Sequence, residues 1–247
     1  MKGITGHIPN TITSMNLLCG AMGVICAFDG RLEASFCFMI AAAVFDFCDG
    51  LAARALNAYS DIGKELDSLS DMVSFGLLPA IMLNRLMIAG GNESAWCYIP
   101  LVIAVFSALR LARFNIDEEQ KDNFIGLATP ACAMLCGALA HYVSCTPDSF
   151  LAPWTGTRLF IPVMSLLLSI LMVSRIPMFS LKFKPGQKDS PVYKMRVGFI
   201  GFCVAVTIAI FLLRLRFSMI FIVAVIGYIV MNLSAFLTSH KKTSRPS

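Results

Sequence analysis

Apolar residues gather into eight long runs separated by short polar breaks. The runs span roughly 11–28, 34–57, 66–89, 96–114, 128–146, 158–176, 196–214 and 217–238. Each is close to the 20 or so residues that a helix needs to cross the hydrocarbon of a bilayer. The alternation expected of barrel strands is absent. Lipid permits only helices and closed barrels to span it, so eight transmembrane helices are predicted. The shortest break is Arg214-Leu215-Arg216-Phe217-Ser218, which has to be a very tight turn. No internal repeat and no linker divides the chain. The least apolar internal stretches are Asp117–Asn123 and Lys182–Pro191.

Composition narrows the picture. Of 247 residues, 57% are hydrophobic and 14% charged, and the mean hydropathy is +0.74. Soluble domains carry about 25% charged residues, so a soluble globular protein and a disordered chain are both excluded. The fold class expected is an all-α integral membrane helix bundle. The net charge of +5 is modest and points to a membrane surface, not to nucleic acid. The nine cysteines are odd in number, lie mostly within apolar runs and form no C-x-x-C pair, which suits packing residues. His7, His141 and His240 are too scattered in sequence for a zinc site, and His141 reads as a core histidine. Met87, Met134, Met164 and Met172 read as core fillers, and Trp96 and Trp154 as anchors at the outer interface. The polar start is followed by an apolar run long enough to stay in the bilayer, so no cleaved signal peptide is expected.

Lys and Arg set the orientation. With eight spans and both termini inside, one side holds Lys2, Arg54, Lys64, Arg110, Arg113, Lys121, Arg175, Lys182, Lys184, Lys188, Lys194, Arg196, Lys241, Lys242 and Arg245. The other holds Arg31, Arg85, Arg158, Arg214 and Arg216. The bias predicts both termini on the cytoplasmic side of an inner (cytoplasmic) membrane. It also puts the 54–66 turn and the 110–127 loop on the same cytoplasmic face, with the 182–196 stretch along anionic headgroups.

Four aspartates break the apolar pattern of the second and third runs. They are Asp46 and Asp49, followed by Gly50, Ala53 and Arg54, and then Asp67 and Asp71 after Gly63. A carboxylate at membrane depth is disfavoured by several kcal/mol. Arg54 and Lys64 are the only cations close by in sequence, which leaves divalent metal ions as the compensating charge. The pairs at i, i+3 and i, i+4 each share one helix face. A short turn makes the two helices antiparallel, so the pairs oppose each other. Such a set suits two metals clamping the entering and leaving oxygens of a phosphoryl displacement. Magnesium and manganese prefer all-oxygen ligands. Gly50, Ala52, Ala53 and Gly63 permit a close approach, and Arg54 suits a diphosphate.

The string from Asp46 to Asp71, D-x2-D-G-x2-A-R-x8-G-x3-D-x3-D, resembles the signature of the CDP-alcohol phosphatidyltransferase family. The resemblance implies a six-helix core in residues 1–176, an added helical pair at 194–238 and a polar tail at 239–247, all one membrane domain. It implies attack by an alcohol on the β-phosphorus of a CDP-linked lipid, with release of CMP. Asp46, Asp49, Asp67 and Asp71 would hold two divalent ions, Asp46 and Asp67 would bridge them, and Asp71 would be the general base. Gly50, Ala53, Arg54 and Gly63 would line the cytidine diphosphate pocket. Pro9-Asn10-Thr11-Ile12-Thr13 is similar to the family's entry into its first helix, which adds Asn10 and Thr13 as nucleotide contacts.

Three further stretches resemble the branch of that family whose acceptor is L-serine. They are Ser74-Phe75-Gly76 through Pro79-Ala80, Arg110-Leu111-Ala112-Arg113-Phe114-Asn115, and Phe124-Ile125-Gly126 through Thr129-Pro130-Ala131. Ala128 stands where that branch more often has proline. CDP-diacylglycerol and L-serine are the substrates implied. Arg110 and Arg113 would grip the serine carboxylate, and Asn115 would orient it or the hydroxyl. Glycerol 3-phosphate or an inositol phosphate are the rival acceptors, and each would call for more basic residues near Arg110. A cation transporter is the rival of another class, but it requires acids across the whole bilayer. A homodimer is the partner expected by analogy.

Overall fold

The computed structural model describes residues 7–116, 124–179 and 191–243. The Asp117–Asn123 and Lys182–Ser190 stretches, with Lys2, Lys121, Lys182, Lys184, Lys188 and Arg245, lie outside the described residues.

Helix α1 covers His7–Phe28 and α2 covers Leu32–Ala55. Helix α3 (Asp61–Asp71) runs through a π-helical turn, Met72–Leu77, into α4 (Leu78–Ala89). A 3-10 segment, Ala95–Leu101, leads into α5 (Val102–Ile116). Helix α6 is Thr129–Cys145, α7 is the short Ala152–Thr155, and α8 is Phe160–Val173. Helices α9 (Pro191–Leu212) and α10 (Ser218–Thr243) close the chain. Two short strands, β1 (Phe124–Ile125) and β2 (Pro177–Met178), pair antiparallel in the loops.

The protein is a multi-pass membrane protein. Among the described residues, six helices are long and apolar enough to span: His7–Phe28, Leu32–Ala55, Asp61–Ala89, Ala95–Ile116, Tyr193–Leu212 and Ser218–Thr238. The two remaining apolar helices, α6 and α8, have 17 and 14 residues. At 1.5 Å per residue α8 is only about 21 Å long, short of a full hydrocarbon thickness. All eight runs read from the sequence are helices, and their ends shift for local reasons. The third starts at Asp61 instead of 66, because Ser60 caps a polar first turn that hydropathy overlooks. The eighth continues to Thr243, into the stretch read as a tail.

The break at Arg214 is a true turn. Arg214 sits in the left-handed region at φ 53°, and the amide of Leu215 donates back to the Ile210 carbonyl at 3.0 Å. That closure ends α9 and lets α10 return.

The core lies around α4, whose residues Leu78, Met82 and Leu83 have no exposed surface. Phe36 and Met39 of α2, Ile103 of α5 and Met172 of α8 pack into the same core. Outward faces stay apolar, as with Leu167 and Phe211, because lipid is as apolar as the side chains. His141 is buried, 3.0 Å from the Ser218 hydroxyl and with its ring centroid 5.0 Å from those of Phe36 and Phe217, which is the core role read from sequence. Trp96 and Trp154 are exposed.

Candidate active site

The site is built on the turn between α2 and α3. Asn57 adopts φ 48°, a left-handed conformation that asparagine tolerates better than most residues, and Ala58 donates to the Ala53 carbonyl at 3.0 Å. Ser60 then accepts the amide of Gly63 at 3.0 Å and starts α3. The chain therefore reverses within five residues, and α3 comes back antiparallel against the bundle.

This reversal brings the acids together. Carboxylate oxygens of Asp46, Asp49 and Asp67 all lie within 4.8 Å of one another. Asp46 also contacts Asp71, which stands beside that triple. Asp49 is buried, and its Oδ2 has no hydrogen-bond partner among the described residues. Three hard oxygen donors at this separation, one of them orphaned and buried, fit a divalent cation. Thr13 of α1 lies against Asp49, while its hydroxyl donates to the Pro9 carbonyl at 3.0 Å.

A cleft of about 310 Å³ opens above the cluster. Asn10, Thr13, Gly50, Ala53, Arg54 and Gly63, the six residues assigned to the nucleotide by resemblance, all line it, together with Asp49 and Asp67. Arg54 folds back so that its Nε donates to the Gly50 carbonyl at 2.9 Å. Tyr59, Ser60 and Lys64 also line the cleft and were not singled out as ligands from the sequence. Their signal was their place in the turn itself.

A second group sits deeper. Asn16 of α1, with no exposed surface, donates from Nδ2 to Asp71 Oδ1 at 3.2 Å. Sequence reading passed over Asn16, although a carboxamide inside an apolar run was a usable signal. Arg110 of α5 is 9% exposed, donates to Thr129 Oγ1 of α6 at 3.1 Å and interacts electrostatically with Asp71. The Oδ1 of Asn16 and the Nε of Arg110 are buried without hydrogen-bond partners among the described residues. Arg113, by contrast, is exposed. Asn115 donates to the Ser68 hydroxyl at 2.9 Å, and Lys64 donates to the Asn115 carbonyl at 2.8 Å, tying α5 to α3.

The helix distorts just after Asp71. Pro79 has no amide to donate to the preceding turn, and residues 72–77 open into a π turn. Ser74 in that turn donates to the Asn16 carbonyl at 3.1 Å, which fixes α1 against it. The Thr129 loop is held by Gly126 at φ 75°, where a side chain would strike the Met172 carbonyl. Ala128 takes φ −63° and ψ 136°, the backbone that a proline there would also take.

Residues 6–174 match the sequence model of the CDP-alcohol phosphatidyltransferase family. The chain is similar to a CDP-diacylglycerol–serine O-phosphatidyltransferase of Bacillus subtilis, at 34% identity over 133 residues, 52% of this chain and 72% of that one. A Mycobacterium leprae protein of the same name is 34% identical over 179 residues, 69% of this chain and 57% of that one. An archaetidylserine synthase of Methanothermobacter thermautotrophicus is 31% identical over 183 residues, 71% of each. The chain thus matches less than two thirds of the mycobacterial relative's length.

Proposed function

Because the chain belongs to the CDP-alcohol phosphatidyltransferase family, we propose that it transfers the phosphatidyl group of CDP-diacylglycerol to the hydroxyl of L-serine. The products are phosphatidylserine and CMP. The observation that carries this reading is continuity. The 310 Å³ cleft reaches Asp49 and Asp67, and Asp46 links them to Asp71 beside the buried Arg110. Nucleotide and acceptor would meet across the acidic cluster. The relatives' names favour serine over other alcohols.

In this reading Asp71 accepts the proton of the serine hydroxyl, whose oxygen forms a bond to the β-phosphorus. The bond from that phosphorus to the CMP oxygen breaks, and CMP leaves with the electron pair. Asn16 orients Asp71 through its 3.2 Å hydrogen bond. The free Nε of Arg110 binds the serine carboxylate, and the free Oδ1 of Asn16 accepts from the ammonium group. Arg54 binds the diphosphate, and Gly50 and Gly63, having no side chains, leave room for it in the cleft. Asp46, Asp49, Asp67 and Asp71 would hold two divalent ions, Mg²⁺ or Mn²⁺, which when bound supply charge neutralisation at the phosphates. The basic end of the bundle faces the cytoplasm at the inner membrane, and acyl chains remain in lipid between helices.

CMP release by the purified protein with CDP-diacylglycerol, Mn²⁺ or Mg²⁺ and a panel of alcohols tests the assignment. Release is expected with serine and not with glycerol 3-phosphate; the reverse would reassign the acceptor. Arg110→Gln is expected to raise the serine KM about 100-fold, the loss of a charged hydrogen bond in a buried site. An unchanged KM removes Arg110 from the acceptor site.

The glycines give a paired test. A Cβ on Gly63 would lie 2.8 Å from Asn10 Oδ1 and 2.9 Å from the Ser60 hydroxyl. Gly63→Ala is therefore expected to weaken CDP-lipid binding about tenfold and to lower Tm, since it disturbs the α3 cap as well. A Cβ on Gly50 would meet only Arg54 Nη2 at 3.9 Å. Gly50→Ala is expected to weaken CDP-lipid binding with Tm unchanged. Normal CDP-lipid binding by both variants would move the nucleotide out of the cleft.

A further inference from the structure

The α9–α10 pair lies beyond residue 174, where the family match stops, and no role is attached to it by that match. Its inner face nevertheless ends on the acceptor side of the site. Asn232, 2% exposed on α10, accepts the amide of Phe179 at 2.9 Å through Oδ1. Tyr228, one turn earlier, donates from its hydroxyl to the Phe179 carbonyl at 2.9 Å. The Asn232 Nδ2 donates to the Tyr228 carbonyl at 2.8 Å, so neither end of the amide is free to rotate. Both polar groups of one peptide residue are thus gripped by one helix face.

Phe179 follows directly on β2. Met178 pairs with Phe124 and Pro177 with Ile125, and the Gly126 amide donates to the Ile176 carbonyl at 2.9 Å. The Leu127 amide donates to the Leu171 carbonyl at 3.1 Å. Two residues further on, Thr129 accepts the Arg110 guanidinium at 3.1 Å. A path of hydrogen bonds joined by the short 176–179 and 124–129 backbone segments therefore runs from α10 to Arg110. Tyr228 also lies near Arg110. Ring contacts stiffen the start of the path: the centroid of Phe179 lies 5.1 Å from that of Tyr228 and 5.8 Å from that of Phe199 on α9.

We propose that the C-terminal helical pair completes the acceptor end of the active site, with Tyr228 and Asn232 acting as positioning residues that hold the 176–179 and 124–129 segments and, through Thr129, the serine-binding orientation of Arg110. This rests on the reading of Arg110 as the carboxylate ligand. The α9–α10 pair is then a specificity element added to a family core. It orders the guanidinium before substrate arrives, so that the entropy of fixing a long side chain is not lost on binding.

The test compares Asn232→Leu, Tyr228→Phe, Phe202→Leu and Arg110→Gln in the full-length protein. The readouts are CMP release with serine and CDP-diacylglycerol each varied, and Tm. Asn232→Leu removes two buried hydrogen bonds and is expected to raise the serine KM about tenfold; Tyr228→Phe removes one and is expected to raise it about fivefold. The kcat at saturating serine and the KM for CDP-diacylglycerol are expected to stay within about twofold. Phe202→Leu trims the adjoining aromatic cluster without touching a hydrogen bond and is expected to leave the serine KM unchanged. A normal serine KM in Tyr228→Phe overturns the inference, and that variant carries the test alone if Asn232→Leu does not fold. Parallel loss of both KM values, or an equal effect of Phe202→Leu, also overturns it. An unchanged serine KM in Arg110→Gln sinks the reading of the acceptor site itself. A raised KM in Arg110→Gln with normal α10 variants sinks only the role of the helical pair.

Discussion

Asp71→Asn is expected to lower turnover about 10²- to 10⁴-fold, the range contributed by a positioned general base, while CDP-diacylglycerol binding stays within about threefold. The substitution keeps the shape of the side chain and its contact with Asn16 while removing the negative charge that lets it take a proton at pH 7. Asp71 is nearly buried and engaged by Asn16 at 3.2 Å, so its orientation does not depend on solvent. It also stands outside the close triple of Asp46, Asp49 and Asp67, which leaves one carboxylate available for proton transfer. Kinetics of CMP release together with equilibrium binding of the CDP-lipid decide the matter. If binding collapses along with turnover, Asp71 is primarily a metal ligand, and the base has to be sought elsewhere.

Removal of metal is expected to have the second large effect. Chelation should abolish CMP release, and Mg²⁺ or Mn²⁺ should restore it. Asp67→Asn should be inactive at any metal concentration. A readout independent of activity exists in the stability of the fold. Charged carboxylates within 4.8 Å repel by about 3 kcal/mol per pair at an effective dielectric of about 20. A cation that binds the folded protein relieves this and raises Tm with its concentration. Asp67→Asn should therefore be at least as stable as the parent in chelator, yet gain little when metal is added. A metal-dependent rise in Tm equal to the parent's would show that Asp67 is not a ligand and would dissolve the proposed cluster. An unaltered Tm in the parent over a wide metal range would do the same.

Much of the fold is legible in the chain, because a bilayer imposes a simple rule. Backbone groups in lipid have to be satisfied within the segment, so a run of apolar residues of sufficient length has one outcome. The eight runs and the tight reversal at Arg214 follow from that rule alone. Boundaries set by capping are harder to read. Ser60 starts α3 five residues ahead of its apolar stretch through one hydrogen bond to the Gly63 amide. The two arginines expected from the sequence to meet the acceptor illustrate another limit. Arg110 and Arg113 are three residues apart, and helical spacing puts both near one face. Yet one turns inward to Thr129 and the other is exposed at the surface.

What the sequence determined by itself was therefore local: membrane-crossing helices, the pairing of Asp46 with Asp49 and of Asp67 with Asp71 on two helix faces, and the glycines that keep the cleft open. Period and spacing within one helix are set by the backbone, so these needed no partner. Tertiary structure alone decided that Asn16 meets Asp71 across 55 positions of chain, that Arg110 is buried, and that Asn232 grips Phe179 from 53 positions away. Those contacts depend on how helices cross and which face of each turns inward. Crossing is settled by the packing of whole surfaces such as α4 against its neighbours, a sum over many side chains that no short motif contains.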